Sequence, residues 1–199
     1  MFGRTTRLSQ CLTYISKGDL FLFYGLYRDA CVKDGKIRYV RRGPKRHVIW
    51  GWMVVEEALK IRSASDGPSW AHYHPHFTDK RAANNTVYVG APEAFGRRPG
   101  AGVFEHYDDR LCLTDLTQER VLPSRWSLPH WCSPRAGHYA LTYHPNPERW
   151  RIEGGRTLLK STSPGQEFVL NTEFYPEAEL WAGQLIERHA GKFIIDQTH

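Results

Sequence analysis

Apolar residues occur in short runs broken by Gly, Pro and charged side chains, a spacing that predicts many strands and few helices. The opening stretch is different. Leu8, Leu12 and Ile15 recur at helical spacing with Cys11 on the same face, which predicts a helix over residues 6–16 that Lys17-Gly18-Asp19 stops. Residues 20–24 are continuously apolar and aromatic, as in a buried strand, and residues 37–40 predict a weaker one. Between them Lys33-Asp34-Gly35-Lys36 reads as a hairpin turn, because Asp-Gly accepts the left-handed backbone a two-residue loop requires.

Residues 47–55, His-Val-Ile-Trp-Gly-Trp-Met-Val-Val, form the clearest strand. Period two places Val48, Trp50, Trp52 and Val54 on one face and His47, Ile49, Gly51, Met53 and Val55 on the other, so both faces should be covered. Gly51 between two tryptophans predicts a bulge or a close approach to the backbone. Residues 56–61 continue this strand or end it. Further strands are expected at 86–90, 111–114, 139–143 and 167–170, and a loop over the Gly/Arg/Pro-rich residues 95–102. Residues 123–134, with Pro123, Pro129 and Pro134 around Trp126 and Trp131, read as an extended wrap over a core surface. Pro176 opens an amphipathic helix carrying Leu180, Trp181, Gln184, Leu185 and Arg188, which Gly191 stops and which should pack on the sheet. The fold class expected is α+β, a strongly curved sheet or barrel with flanking helices. No linker divides the chain, so a single domain over 1–199 is expected.

Composition supports a packed core: of 199 residues, 41% are hydrophobic and 13% aromatic, which argues against disorder. No stretch approaches the roughly 18 apolar residues of a membrane span, and MFGRTTRLSQ lacks the apolar segment of a secretory signal. A cytoplasmic protein is the expectation. Cys11, Cys31, Cys112 and Cys132 contain no Cys-x-x-Cys pair and read as reduced, structural thiols. Net charge is +6, and residues 28–46 account for all of it, with eight basic residues against Asp29 and Asp34. Clustered charge of one sign is the footprint of a polyanion partner, although a solvated loop gives the same pattern.

The usual nucleotide-cofactor and hydrolase motifs are missing: there is no GxGxxG after a strand, no GxxxxGK[ST], no GxSxG and no HExxH. No cofactor is expected. Trp70-Ala71-His72-Tyr73-His74-Pro75-His76-Phe77 is the densest polar and aromatic cluster. Its alternating imidazoles suit a divalent metal in principle, but Pro75 breaks regular pairing and no carboxylate adjoins them, so no metal site is expected. The cluster reads either as a packed loop or as the wall of a base pocket. Tyr24, Trp50 and Trp52 form a second set of rings able to stack on a base or to serve as core.

The order of motifs resembles the nucleotide-modification-associated domain family. It runs through residues 18–24 (GDLFLFY), 47–56, Tyr73-His74-Pro75-His76-Phe77, 85–89, 100–104, 124–129 and 165–170. More loosely, a Gly-Asp turn feeding a strand, and a later strand with glycine before a valine-rich run, are similar to EVE, ASCH and YTH domains of the PUA-like superfamily. That likeness implies a small curved barrel holding a modified base in an aromatic pocket. Family members usually carry a further N-terminal segment, so a trimmed form is also an expectation.

Two functions follow. The first is a non-catalytic module that recognises a modified base in nucleic acid, or a free nucleotide, in a DNA-modification or phage–host conflict setting. Tyr24, Trp50, Trp52, His72, Tyr73 and His74 would meet the base, and Arg38, Arg41, Arg42, Lys45 and Arg46 the phosphates. The second is an enzyme acting on a nucleotide or modified base, of glycosidic hydrolase or transferase type. No spacing selects an acid or base for it among His72, His74, His76, Asp19, Glu56 and Glu57. An interaction module binding an acidic protein is a third class.

Overall fold

The computed structural model describes residues 15–63, 66–77, 85–96, 98–162 and 167–191. The helix expected over residues 6–16 lies almost entirely outside them. The described residues are mostly β, with one α-helix among them. The largest sheet contains β1 (Leu20–Arg28), β4 (Lys45–Ile61) and β5 (Asn85–Gly90) in the order β1-β4-β5, with β8 (Ala101–Val103) also against β4. No described strand joins β1 to β5, so the expected barrel is not closed among these residues. The described residues divide into two compact units, those within 15–22 and 52–103 in one and those within 23–51 and 104–191 in the other.

In the first unit the second half of β4 pairs antiparallel with β5, from Val55↔Gly90 to Ile61↔Asn85. The register of this pair shifts between Val55 and Glu57, a bulge in the second half of β4. Ile61, Ala71, Phe77 and Val87 form a small core, with Leu59 packed on it. The stretch expected as a loop over residues 95–102 holds short strands among its described residues: β7 (Arg98–Pro99) pairs with β6 (Glu93–Ala94) just before it, β8 follows, and Val54 N–H donates to Gly100 O at 2.6 Å.

In the second unit the Asp34-Gly35 turn joins β2 (Ala30–Lys33) to β3 (Lys36–Tyr39), with φ of 53° and 69° at the two turn residues, as Asp-Gly predicts. A separate sheet has the order β10-β11-β9, from β9 (Arg125–Pro129), β10 (Trp150–Glu153) and β11 (Arg156–Lys160). Thus the expected extended wrap is in part a true strand, whose alternation buries Trp126 and Leu128. Residues 139–143 and 167–170 are not strands. Their contact is local: Thr142 N donates to Val169 O, and Val169 N donates to Thr142 Oγ1. The helix α1 (Glu177–His189) buries Ala178, Ala182, Leu185 and Ile186. Its start is fixed by Trp181 edge-on to Trp131 at 5.8 Å and by the Arg135–Glu177 ion pair at 2.6 Å.

Candidate functional site

A cavity of about 390 Å³ lies wholly within the second unit. Tyr27, Arg28 and Asp29 from the end of β1 form one part of its wall, and Arg46, Val48, Ile49 and Trp50 from the start of β4 another. Phe104, Glu105, His106, Tyr107 and Leu111 complete it. The backbone holds this last segment beside β4: Phe104 N–H donates to Trp50 O at 2.9 Å and Leu113 N–H to His47 O at 2.8 Å. Single bridges pair Val48 with Cys112 and Phe104 with Ala190.

Two glycines shape the walls. A Cβ on Gly25 would lie 3.1 Å from the Tyr27 ring and 3.6 Å from that of Trp50, so its absence leaves both rings their places. A Cβ on Gly191 would run into the Glu105 carboxylate, which therefore rests directly on the chain after α1.

Arg46 is the central charge. Its Nη2 donates to Asp29 Oδ2 at 2.7 Å, and its guanidinium lies 5.8 Å from the centre of the Tyr107 ring. Burial works against its charge, but Asp29 more than offsets this, and the guanidinium stays ionised. Its Nε is enclosed and has no hydrogen-bond partner. Tyr107 donates its hydroxyl to Asp109 Oδ1 at 2.7 Å; burial, and then that bond, push its pKa upward. The Trp50 ring stacks on Phe23 at 5.3 Å and 22° and also lines the cavity. The site thus combines four aromatic rings with two guanidiniums and two carboxylates, a set suited to a flat, polar, anionic-tailed molecule.

The structure brings together only part of the predicted set. Trp50 and Arg46 share the cavity. Trp52 requires a correction: it is 0% exposed, its Nε1 donates to Pro99 O at 3.2 Å, and its ring lies over Gly102, so it is core and offers no face to a ligand. Tyr24 sits among three rings, stacked on Phe168 at 6.2 Å and edge-on to His47 and Trp126. Burial, and then Glu167, push its phenol up to about 12, so it is neutral at ordinary pH. His72, Tyr73 and His74 belong to the first unit, between two 3₁₀ turns, where the His72 ring tilts against Phe77 at 5.2 Å and Tyr73 is exposed. Arg38 is on β3, Arg41 and Arg42 follow it, and Lys45 opens β4; all four are exposed.

Sequence reasoning missed Tyr27, Phe104, Glu105 and Tyr107. The available signal was the spacing of two aromatics around Glu105-His106, just after the glycine-rich stretch. Among the described residues no group of His, Cys, Asp or Glu is arranged to hold a metal ion. No helix among them is long and apolar enough to cross a membrane.

The family model for nucleotide modification associated domain 3 matches residues 1–171, and the chain belongs to that family. No curated protein and no solved structure matches it.

Proposed function

We propose that this family member is a binding module for a nucleotide, which it takes base-first into the cavity between β1, the start of β4 and residues 104–111. The observation that carries this reading is the meeting of Trp50 and Arg46 in one cavity with Phe104 and Tyr107. The volume suits a base and part of its sugar, since ligand pockets span about 300–1,000 Å³. Trp50, Phe104 and Tyr107 supply faces on which a base stacks, and Arg28 and Arg46 supply donors for a phosphate. The unspent Nε of Arg46 supports that role, because a buried donor is seldom left without an acceptor. A modified base is the preferred occupant: a substituent on the ring would meet apolar walls such as Val48, Ile49 and Leu111. The PUA-like barrel and the cytoplasmic setting belong to the same reading, as does an origin of the base in a nucleic acid.

The test is calorimetric titration with nucleoside monophosphates, unmodified and base-modified. At least one should bind, and Trp50→Ala should weaken it about tenfold or more, the loss of one aromatic stack of roughly 1–3 kcal/mol. Arg46→Gln should weaken the monophosphate more than the nucleoside. No binding at millimolar nucleotide, or an unchanged affinity in Trp50→Ala, overturns the proposal.

A further inference from the structure

We propose that the β2–β3 ribbon is a separate docking surface that lies in the major groove of B-form duplex DNA. The ten residues from Ala30 to Tyr39 are all exposed, Val32 by 75% and Ile37 by 81%. The register makes the ribbon two-faced. Cys31↔Arg38 and Lys33↔Lys36 put three cations on one side, while Ala30↔Tyr39 and Val32↔Ile37 share the other. None of the ion pairs among the described residues engages Lys33, Lys36, Arg38, Arg41, Arg42 or Lys45. Asp29, the nearest anion at the root, is already taken by Arg46. Asp34, in the turn between Lys33 and Lys36, is the one anion of residues 30–45 and is in none of those ion pairs, so six cations against one carboxylate reach solvent on and just after a short, turn-closed ribbon.

Geometry selects the polyanion. A two-stranded ribbon fits the major groove of B-form DNA, about 12 Å wide, whereas the A-form groove of duplex RNA is too narrow for side chains to read. Single strands are gripped chiefly by stacking on aromatic faces. The cationic side of this ribbon has no aromatic ring, and Tyr39, on the other side, lies under Arg28 at 4.2 Å. Duplex DNA presents about one charge per 1.7 Å of axis, a regular field along which the three cations on one side of the ribbon can line up. This docking is independent of what fills the cavity.

The experiment is fluorescence anisotropy of the full chain with a 20-base-pair DNA duplex, the same sequence as duplex RNA, the single strand, and poly-glutamate, each across a salt series. Duplex DNA should bind tightest. Lys33→Ala/Lys36→Ala/Arg38→Ala should lower duplex affinity tenfold or more near 0.1 M salt and flatten the log–log salt slope by about 2.7, close to 0.9 per lost phosphate contact. Ile37→Ser, on the opposite side, should bind as the parent does. Trp50→Ala should keep the parent slope, which separates failure here from failure of the cavity reading. Equal or tighter binding of RNA, single strand or poly-glutamate overturns the assignment. So does an unchanged slope in the triple variant, or a loss in Ile37→Ser equal to that of the triple variant.

Discussion

Trp50 and Trp52 share one face of the same strand, yet only one of them lines the cavity, and their neighbours decide which. Trp52 lies on Gly102, where an added Cβ would be 2.5 Å from the ring carbon Cη2, and it spends its N–H on Pro99 O. Trp50 has Phe23 on one side and the cavity beside it. Alternation along β4 cannot separate the two, because it reports a shared face and nothing of the small residue that arrives from elsewhere in the chain. The glycine is thus as necessary as the indole it accommodates. Gly102→Ala forces a rigid, fully buried ring to move and should lower stability by about 1–3 kcal/mol, the usual range for overpacking. Urea denaturation checks it: the midpoint should drop with the slope unchanged, and a parent-like midpoint would show that the ring shifts freely.

Two turns of like conformation should behave differently when changed. Asp34-Gly35 and Gly154-Gly155 both take positive φ, at 53° and 69° and at 57° and 73°. The second closes the β10–β11 hairpin, which places Leu158 and Leu159 in the core. Gly155→Ala should therefore reduce global stability by roughly 1–2 kcal/mol, the cost of a left-handed L-residue. Gly35→Ala strains only an exposed ribbon and should leave the thermal midpoint in place while hydrogen exchange in Ala30–Tyr39 quickens. A parallel fall in both variants would mean that the ribbon is coupled to the core. The sequence made the first hairpin legible through its Asp-Gly pair flanked by charged residues. The Gly-Gly turn carries an equal signal, and the apolar–charged alternation of Trp150–Glu153 before it is itself the pattern of a half-buried strand. The two-residue strands β6 and β7 are shorter than any periodicity can reveal. Residues 139–143 and 167–170 have strand-like composition, yet Thr142 joins them through its hydroxyl as well as its backbone, an arrangement composition does not encode. The cavity was half legible for the same reason: Trp50 and Arg46 stand in conspicuous local patterns, whereas Phe104 and Tyr107 acquire meaning only once the backbone pairs Phe104 with Trp50.

Stability against pH follows from what the second unit buries. His144 is fully enclosed; it accepts a bond from Thr162 N–H at Nε2 (3.1 Å), so its proton sits on Nδ1, which donates to Thr142 O at 2.7 Å. His47 is buried against Trp126, with its Nδ1 3.0 Å from both Pro123 O and the indole nitrogen. Burial lowers both pKa values below 6.5, only partly opposed by the carbonyls of Pro123 and Thr142. Between those lowered values and 6.5 the unfolded chain holds more protons than the folded one, so stability declines as pH falls through that window. Glu167 acts in the opposite sense: burial raises it above 4.5, and the cost of keeping it ionised is relieved on acidification. On descending from neutral pH the histidine loss sets in first, as the unfolded imidazoles begin to bind protons near 6.5. Urea midpoints at pH 7.5, 6.5 and 5.5 should decrease in that order. His144→Gln keeps an acceptor for Thr162 N–H but cannot titrate, so it should start lower and fall less steeply. A variant that declines as steeply as the parent would clear His144 of any part in the acid sensitivity.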